Sequence, residues 1–391
     1  MNSNKVILKS GKDKAIRNRH HWIFSGAVDK MPEFSNGTCL PVYSSDEFLL
    51  GWGYFNRKAK IIGRMLSFDE TLPQAAIRMH LEAALALRKI LFKENNTTAY
   101  RLVNGEGDLL PGLIVDKYND VLVVQISTQG MDLLRTYIVE LLVELMQPRC
   151  IFERSQLPSR KEEGLQDVQG VLFGEVPSKE IEVLENGLRF NVSVIQGQKT
   201  GFFIDHREMR ESVRNYSKGR RVLNCFAYTG GFSIYAAAGG ATSVDSVDIS
   251  KAAMVAAEEN MSLNGFSSNP NQFITADVFQ FLRENPIDYD LVILDPPAFA
   301  KRQKDIVAAC RGYKDINRIA LQKMPKKSFL LTSSCSYHVD ENLFQTVIFQ
   351  AAVEAKRVVK IIGRHRMAAD HPINVCHPES DYLKSLFLYV E

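Results

Sequence analysis

Apolar residues fall into two rhythms along this chain, and the change of rhythm divides it. Over residues 1 to about 70 they come in short runs, KVILK, CLPVYS, FLLGWGYFN and KIIGRML, each cut by Gly, Pro or Asn. Brief strands between such breakers predict a small β-barrel-like module. From Leu72 the stretch LPQAAIRMHLEAALALRKILF repeats apolar positions every three or four residues, which predicts a helix. YRLVNGEGDLLPGLIVDKYNDVLVVQIS then alternates apolar with polar, and Asn119-Asp120 marks a turn between two strands. A second helical period runs from about Met131 to Leu145, and FERSQLPSRKEEGL reads as a charged loop.

Beyond residue 187 strands and helices alternate. RVLNCF, SVDSVDIS, QFITAD, YDLVILDPP, KSFLLTSSC and RVVKIIGR are strand-like, with helical stretches between them. One of these helices, SKAAMVAAEENMSLNG, is opened by Ser250 and closed by Asn264-Gly265. Such alternation predicts a doubly wound, mostly parallel α/β sheet, whose ligands sit outside the carboxyl ends of the strands. The expected domains are residues 1–72, a central α+β part at 73–186, and an α/β domain at 187–391.

Composition narrows the class. At 391 residues, with 45% hydrophobic and 24% charged residues, the chain is an ordinary globular protein of two or three domains. The N-terminus MNSNKVILKSGKDK mixes charge into its apolar residues too early for a signal peptide, and no run approaches the roughly 18 apolar residues of a spanning helix. No membrane partner is expected. Six scattered cysteines without a CxxC pair argue against a disulfide framework and against zinc, so no metal is expected, and a cytoplasmic location is. The first 64 residues hold 11 Lys/Arg against 5 Asp/Glu, leaving the remainder slightly acidic. A basic module on a near-neutral body suits a polyanion, though a merely solvated basic face reads the same way. Within RNRHHWIFSGAV, residues Arg17, Arg19, His20 and Trp22 can meet phosphate and stack on bases, with core packing of Trp22 and Phe24 as the other reading. Arg154, Arg160 and Lys161 of the charged loop can line the same path or simply be solvated.

The chemistry-bearing residues cluster at strand ends. RVLNCFAYTGGFSIYAAAGGA is a strand, a glycine turn and a helix; Gly230 and Gly231 let the backbone approach a ligand. No GxGxxG is present, which disfavours a nicotinamide or flavin. Asp248 ends the next strand, where a carboxylate meets a ribose diol, and Asp277 follows the third, where it can accept from an adenine amino group. Asn224, Phe226, Tyr228 and Thr229 around the turn, and Ile249 and Val278 after the two acids, complete the candidate set. This order of elements fits S-adenosylmethionine, which has a ribose, an adenine and an amino acid but no diphosphate.

YDLVILDPPAFAK ends the fourth strand with Asp295-Pro296-Pro297. The prolines stiffen the turn, so Asp295 can face a target base with Pro296 beside it and Phe299 near enough to stack; capping of a following helix is the rival reading. Asp-Pro-Pro alone would suit methylation of an amino nitrogen. Cys335, ending the fifth strand in LTSSCSYHVD, changes that. Carbon 5 of a pyrimidine takes a methyl only after a thiolate has added to carbon 6. A thiol just before a helix would also have a lowered pKa. A bare cysteine at a strand end can equally be packing.

Taken together, NCFAYTGGFSIYAAAGGA, VDIS, LDPPAFAK, CRGYKDIN and TSSCSYHV resemble the PUA-domain-containing bacterial 23S ribosomal RNA cytosine-C5 methyltransferases. HHWIFSGAV, YRLVNGEGDLLPGLIVDKY and QGQKTGFFIDHREMR extend the likeness over essentially the whole chain. The resemblance implies an N-terminal PUA-like RNA-binding domain, a central connecting domain and a Rossmann-like class I methyltransferase sheet. It implies Cys335 as nucleophile with Asp295 as its partner, and Thr200, Gly201, Phe203, Asp205 and Arg207 as further pocket residues. Ribosomal RNA is then the partner, and a homodimer an expectation, since related proteins often pair. Methylation of a base nitrogen with Cys335 structural, and a non-catalytic RNA-binding or assembly role, remain the alternatives.

Overall fold

The computed structural model describes residues 4–94, 96–177, 180–267, 270–300 and 302–391. Lys301, closing LDPPAFAK, lies outside them. Two compact units result: residues 1–186, 192–204 and 369–380 form the first, and 187–191, 205–368 and 381–391 the second.

In the first unit the short N-terminal runs become a six-stranded sheet, in the order Trp22–Phe24, Ile61–Ser67, Leu49–Phe55, Cys39–Tyr43, Val6–Leu8, Val28–Lys30. Its core is Val6, Leu8, Ile23, Leu40, Val42, Phe55 and Met65. Ile23 alone of the WIF triplet enters that core; Trp22 is half-buried and Phe24 is 51% exposed. A five-stranded sheet follows, ordered Val168–Gly174, Cys150–Ser155, Val121–Ile126, Leu113–Tyr118, Ala99–Asn104. The helices Pro73–Leu91 and Arg135–Met146 supply Ile77, Leu81, Ile138, Leu141 and Leu142 to its core.

FERSQLPSRKEEGL is not a loop. Cys150–Ser155 is an interior strand, parallel to Val121–Ile126 and antiparallel to Val168–Gly174, and Pro158–Glu163 is a helix closed by Gly164 at φ 79°. Pro at the first turn and a left-handed Gly at the end are the local reasons. Arg160 is correspondingly 1% exposed. It donates to the Ile126 carbonyl at 2.7 Å, the Gln166 carbonyl at 2.6 Å and Asp132 at 3.1 Å, so it holds the fold and does not reach RNA.

The late segment Ala369–Ser380 belongs to this unit too. Asp370 Oδ2 accepts from the Arg101 amide at 2.7 Å, and the Asp370 carbonyl accepts from Arg88, itself buried and bidentate on Asp108. At Gly107 a Cβ would come within 1.9 Å of the Pro372 carbonyl oxygen, so only glycine permits this approach.

The second unit is built on a seven-stranded sheet, numbered here in its own chain order: β1 Arg221–Cys225, β2 Ser243–Asp248, β3 Gln272–Thr275, β4 Leu291–Leu294, β5 Ser328–Ser334, β6 Val359–His365 and β7 Lys384–Val390. The spatial order is β3-β2-β1-β4-β5-β7-β6. β7 runs antiparallel between β5 and β6, whereas β1 to β5 are parallel. The chain reverses its direction of winding between β1 and β4, which makes the carboxyl ends there the natural crevice. Buried Leu223, Val247, Val292, Leu294 and Leu330, with helix residues Tyr313, Ile316 and Phe344, form the core beneath it. Among the described residues no helix is long and apolar enough to cross a membrane.

Candidate active site

At the end of β1 the chain makes an unusual turn. Phe226 (φ 60°), Tyr228 (φ 46°) and Gly230 (φ 80°) are all left-handed, two of them without being glycine. Asp248 holds this turn: Oδ2 accepts from the Tyr228 amide at 3.0 Å and Oδ1 from the Ser250 amide at 2.9 Å. Gly230 packs against the helix Lys251–Leu263, where a Cβ would lie 3.0 Å from Ala257 Cβ. Gly231 then opens the helix Gly231–Ala238. Beside the turn Ile249 is 72% exposed, an apolar side chain awaiting a flat partner. A carboxylate, a backbone opened to close approach, and an uncovered apolar side chain fit the ribose, amino-acid and adenine parts of S-adenosylmethionine. Thr229 is half-exposed in the same turn, its carbonyl accepting from Asn260 at 3.2 Å.

Other candidates take different roles. Asn224 is fully enclosed, donating to Ser233 at 2.8 Å, and Ser233 contacts Ser246 at 2.7 Å; this chain of contacts ties β1, the following helix and β2 together beneath the turn. Asp277 caps the helix Val278–Glu284 by accepting from the Gln280 amide at 2.9 Å, yet stays exposed. The Val278 side chain lies in the core. Thr200 is buried within the first unit, donating to Asp116 at 2.6 Å and contacting Tyr118 at 2.8 Å. Gly201 is also buried there, and Lys199 sits 4.4 Å over the half-buried Phe203 ring. Asp205 and Arg207, in the second unit, are 2% and 3% exposed, and Asp205 accepts from Tyr382 at 2.5 Å. Both serve as supports rather than as open pocket walls.

At the ends of β4 and β5 the two remaining candidates meet. β4 and β5 are neighbours in register, Leu294 opposite Thr332. Cys335 Sγ lies 3.9 Å from the carbonyl oxygen of Pro296, the residue after Asp295. No helix follows Asp295 directly, so the capping reading of that residue falls. Its Oδ2 is instead 3.0 Å from His206 Nδ1, an ion-pair distance, with the imidazole 4% exposed. Cys335 does not stand at a helix start either. A turn intervenes, and the helix Glu341–Glu354 is capped by Asp340.

What flanks the sulfur is Lys384. It begins β7, opposite Ser334, and its Nζ donates to the Ser336 carbonyl at 2.7 Å and the Tyr382 carbonyl at 2.8 Å. Burial pushes its pKa down to about 8, opposed by the neighbouring Cys335 and Asp340 charges. Ser336 Oγ fixes the turn, accepting from the Ala300 amide at 3.1 Å and contacting Tyr313 Oη at 2.9 Å. Phe299 is not presented to a base: it packs with Tyr313 (4.6 Å) and Phe279 (5.8 Å) against the core. Pro296 is buried and contributes its carbonyl. His206 and Lys384 were missed by sequence reasoning.

Of the RNA candidates, Arg17, Arg19 and Lys161 are exposed, Arg17 pairing with Asp13 at 2.6 Å. Arg154 donates to the Gly197 carbonyl at 2.7 Å. His20 and Trp22 are drawn inward, Trp22 donating to Glu106 at 2.9 Å and its ring lying 4.5 Å from that of His377.

Residues 166–337 match the S-adenosylmethionine-dependent methyltransferase family, and residues 6–68 the PUA-like domain. The chain is 41% identical, over 97% of both chains, to ribosomal RNA large subunit methyltransferase I of Aliivibrio fischeri strain ES114. It is also 41% identical, over 99% of both, to the protein of that name from Photobacterium profundum. A proposed SAM-dependent methyltransferase from Streptococcus mutans superposes with TM-score 0.82 at 25% identity, over 98% of this chain and 99% of that one. A proposed methyltransferase solved in complex with SAH shares the fold, with TM-score 0.84 at 24% identity over the same shares.

Proposed function

This chain belongs to the ribosomal RNA large subunit methyltransferase I family, and from that premise we propose that it methylates carbon 5 of a cytosine in 23S ribosomal RNA through a covalent Cys335 adduct. It is an S-adenosylmethionine-dependent methyltransferase acting on large-subunit ribosomal RNA. The observation that carries the finer reading is the meeting of the Cys335 thiol with the Asp295-Pro296 turn, Sγ 3.9 Å from the Pro296 carbonyl.

The mechanism follows from the acceptor. S-adenosylmethionine supplies a methyl group made electrophilic by its sulfonium. Cytosine C5 is a weak nucleophile, so the Cys335 thiolate adds to C6, forming the S–C6 bond and moving the C5–C6 π pair onto C5. Asp295, beside His206, is assigned to the N3/N4 edge, where it donates a proton to N3 as the S–C6 bond forms, so that the adduct carries no net negative charge. Once C5 has taken the methyl from the sulfonium, its C5–H proton passes to solvent water as base, N3 returns its proton to Asp295, the C5–C6 double bond re-forms and the sulfur leaves with the C6–S pair. Asp248, Ile249 and the turn from Phe226 to Gly231 hold the methyl donor.

Lys384 keeps a positive charge beside the sulfur until about pH 8. Its charged form favours the thiolate, and that support is lost as pH rises through the ammonium's own pKa. In the wild type, methyl transfer is expected to fall above about pH 8. Lys384→Met is expected to be slower by about one to two orders of magnitude and to lack that alkaline decline. A rate profile from pH 6 to 10 checks both, and an unchanged alkaline limb in the variant would remove Lys384 from the mechanism.

The proposed division of labour assigns RNA capture to residues 1–72, connection to 73–186 and chemistry to 187–391, with Arg17, Arg19 and Lys161 as exposed phosphate contacts, in a cytoplasmic setting where ribosomal RNA is found. The test is nucleoside mass spectrometry of 23S ribosomal RNA from cells with and without the active chain. Loss of one 5-methylcytosine is expected. Loss of an N-methylated base would replace this reading by amino-group methylation, and an unchanged nucleoside set would remove the 23S assignment.

A further inference from the structure

The first unit holds a second constellation that methyl transfer does not use. His20, His377 and Glu379 each bring one ligand atom to within 4.8 Å of the others. His20 Nε2 is 3.2 Å from Glu379 Oε1, and His377 Nδ1 is 3.8 Å from Glu379 Oε2. His377 is completely buried, yet neither ring nitrogen has a hydrogen-bond partner, and nor does Glu379 Oε2. Buried polar atoms are almost always satisfied, so His377 Nδ1 and Glu379 Oε2, 3.8 Å apart and both unmet, ask for a missing partner. We propose that His20, His377 and Glu379 bind a divalent transition-metal ion, with zinc(II) the best match.

The donor chemistry fits. Two imidazoles and a carboxylate form a His2Glu set of the kind zinc accepts, leaving the fourth tetrahedral position to water. Donors about 2.0–2.2 Å from zinc stand roughly 3.2–3.6 Å from one another. The 3.2 and 3.8 Å contacts, made to the two different oxygens of Glu379, approach this, and drawing one donor atom from each residue into range from within 4.8 Å takes shifts of about an ångström.

The site is also prepared by its surroundings. The His377 amide donates to the Asn374 carbonyl at 2.7 Å and the Cys376 amide to Asn374 Oδ1 at 2.9 Å, which fixes the ligand turn. Trp22 and His20 both pack their rings 4.5 Å from that of His377, with Trp22 anchored on Glu106. Glu379 and His20 keep 33% and 17% of their side chains exposed, so an ion can arrive from solvent. The expectation of no metal rested on cysteine spacing. Two of these ligands, His377 and Glu379, are two residues apart, but the third, His20, is 359 positions from Glu379, a spacing no local motif reveals. A bound ion would therefore clip Ala369–Ser380 to the N-terminal sheet.

The test uses the untagged full-length chain, stripped with EDTA and desalted. Cobalt(II) is titrated while its visible ligand-field absorption is followed, and zinc(II) is then added to displace it. One equivalent is expected, and zinc should raise the melting temperature by roughly 3–8 °C. His377→Phe keeps the ring stack and removes both nitrogens, and Glu379→Gln keeps the shape. Each is expected to weaken binding by about two orders of magnitude or more and to abolish the thermal shift. If His377→Phe does not fold, His20→Gln makes the same comparison. Absent ligand-field bands together with an unmoved melting temperature would overturn the proposal, leaving an ion pair beside an aromatic stack. So would wild-type affinity in these variants, or binding lost only in Cys376→Ser. None of these readings depends on methyl transfer.

Discussion

Cys335→Ala is expected to lower methyl transfer to ribosomal RNA by at least about 10⁴-fold while S-adenosylmethionine binds with unchanged affinity. The two effects separate because the sulfur is at the end of β5, whereas the proposed hold on the donor is at the turn after β1 and at Asp248, the end of β2. Without the thiolate nothing breaks the aromaticity of the cytosine ring, and C5 stays unreactive however well the methyl is placed. Cys335→Ser should be nearly as inactive, because a neutral hydroxyl is a far poorer nucleophile. RNA carrying 5-fluorocytosine gives the direct measurement. Fluorine at C5 cannot leave as a proton does, so the wild type should accumulate a protein–RNA adduct stable to denaturing electrophoresis, and Cys335→Ala should form none. An active alanine variant would end the covalent mechanism.

Asp295→Ala carries the second largest effect, a loss of about 10²–10⁴ in kcat with the affinity for the methyl donor little changed. Addition at C6 pushes negative charge toward N3, and the Asp295 carboxyl, 3.0 Å from His206 Nδ1, is the group proposed to neutralise it by donating a proton to N3. Removing the carboxyl also takes one partner from a buried histidine, so melting temperature must be compared alongside the rate. Asp295→Asn keeps the shape and should fall between wild type and Ala. With 5-fluorocytosine RNA, Asp295→Ala should form the adduct slowly rather than not at all. A kcat within a few-fold of wild type would reduce Asp295 to a structural turn residue.

The strand-end residues were legible because a parallel sheet turns sequence order into spatial order: each strand delivers its last residue to the same edge. Gly230, Asp248, Asp295 and Cys335 stand at or just after strand ends, where the pattern placed them, for that reason. Lys384 is not, because DYLKSLFLYV reads as an apolar strand without revealing that it inserts between β5 and β6. His206 precedes the sheet and reaches Asp295 only through the tertiary fold. Arg160 shows the opposite failure. A cation among charged neighbours reads as solvated until Asp132 and the Ile126 carbonyl are seen closing over it. One signal lay in plain view: Asn186-Gly187, between alternating IEVLE and LRFNV, is a hairpin signature. Both residues are left-handed (φ 49° and 80°) between the strands Ile181–Glu185 and Leu188–Val192.

That Ala369–Ser380 supplies Asp370 and Pro372 to the first unit sets an order for the newborn chain. The N-terminal half leaves the translating ribosome unfinished: the Arg88 guanidinium and the groove at Gly107 wait for a segment encoded after six of the seven strands of the catalytic sheet. At about 5–20 residues per second, the delay is on the order of ten to fifty seconds. A nascent chain halted before residue 369 should therefore be more open to protease in its first half than the released protein.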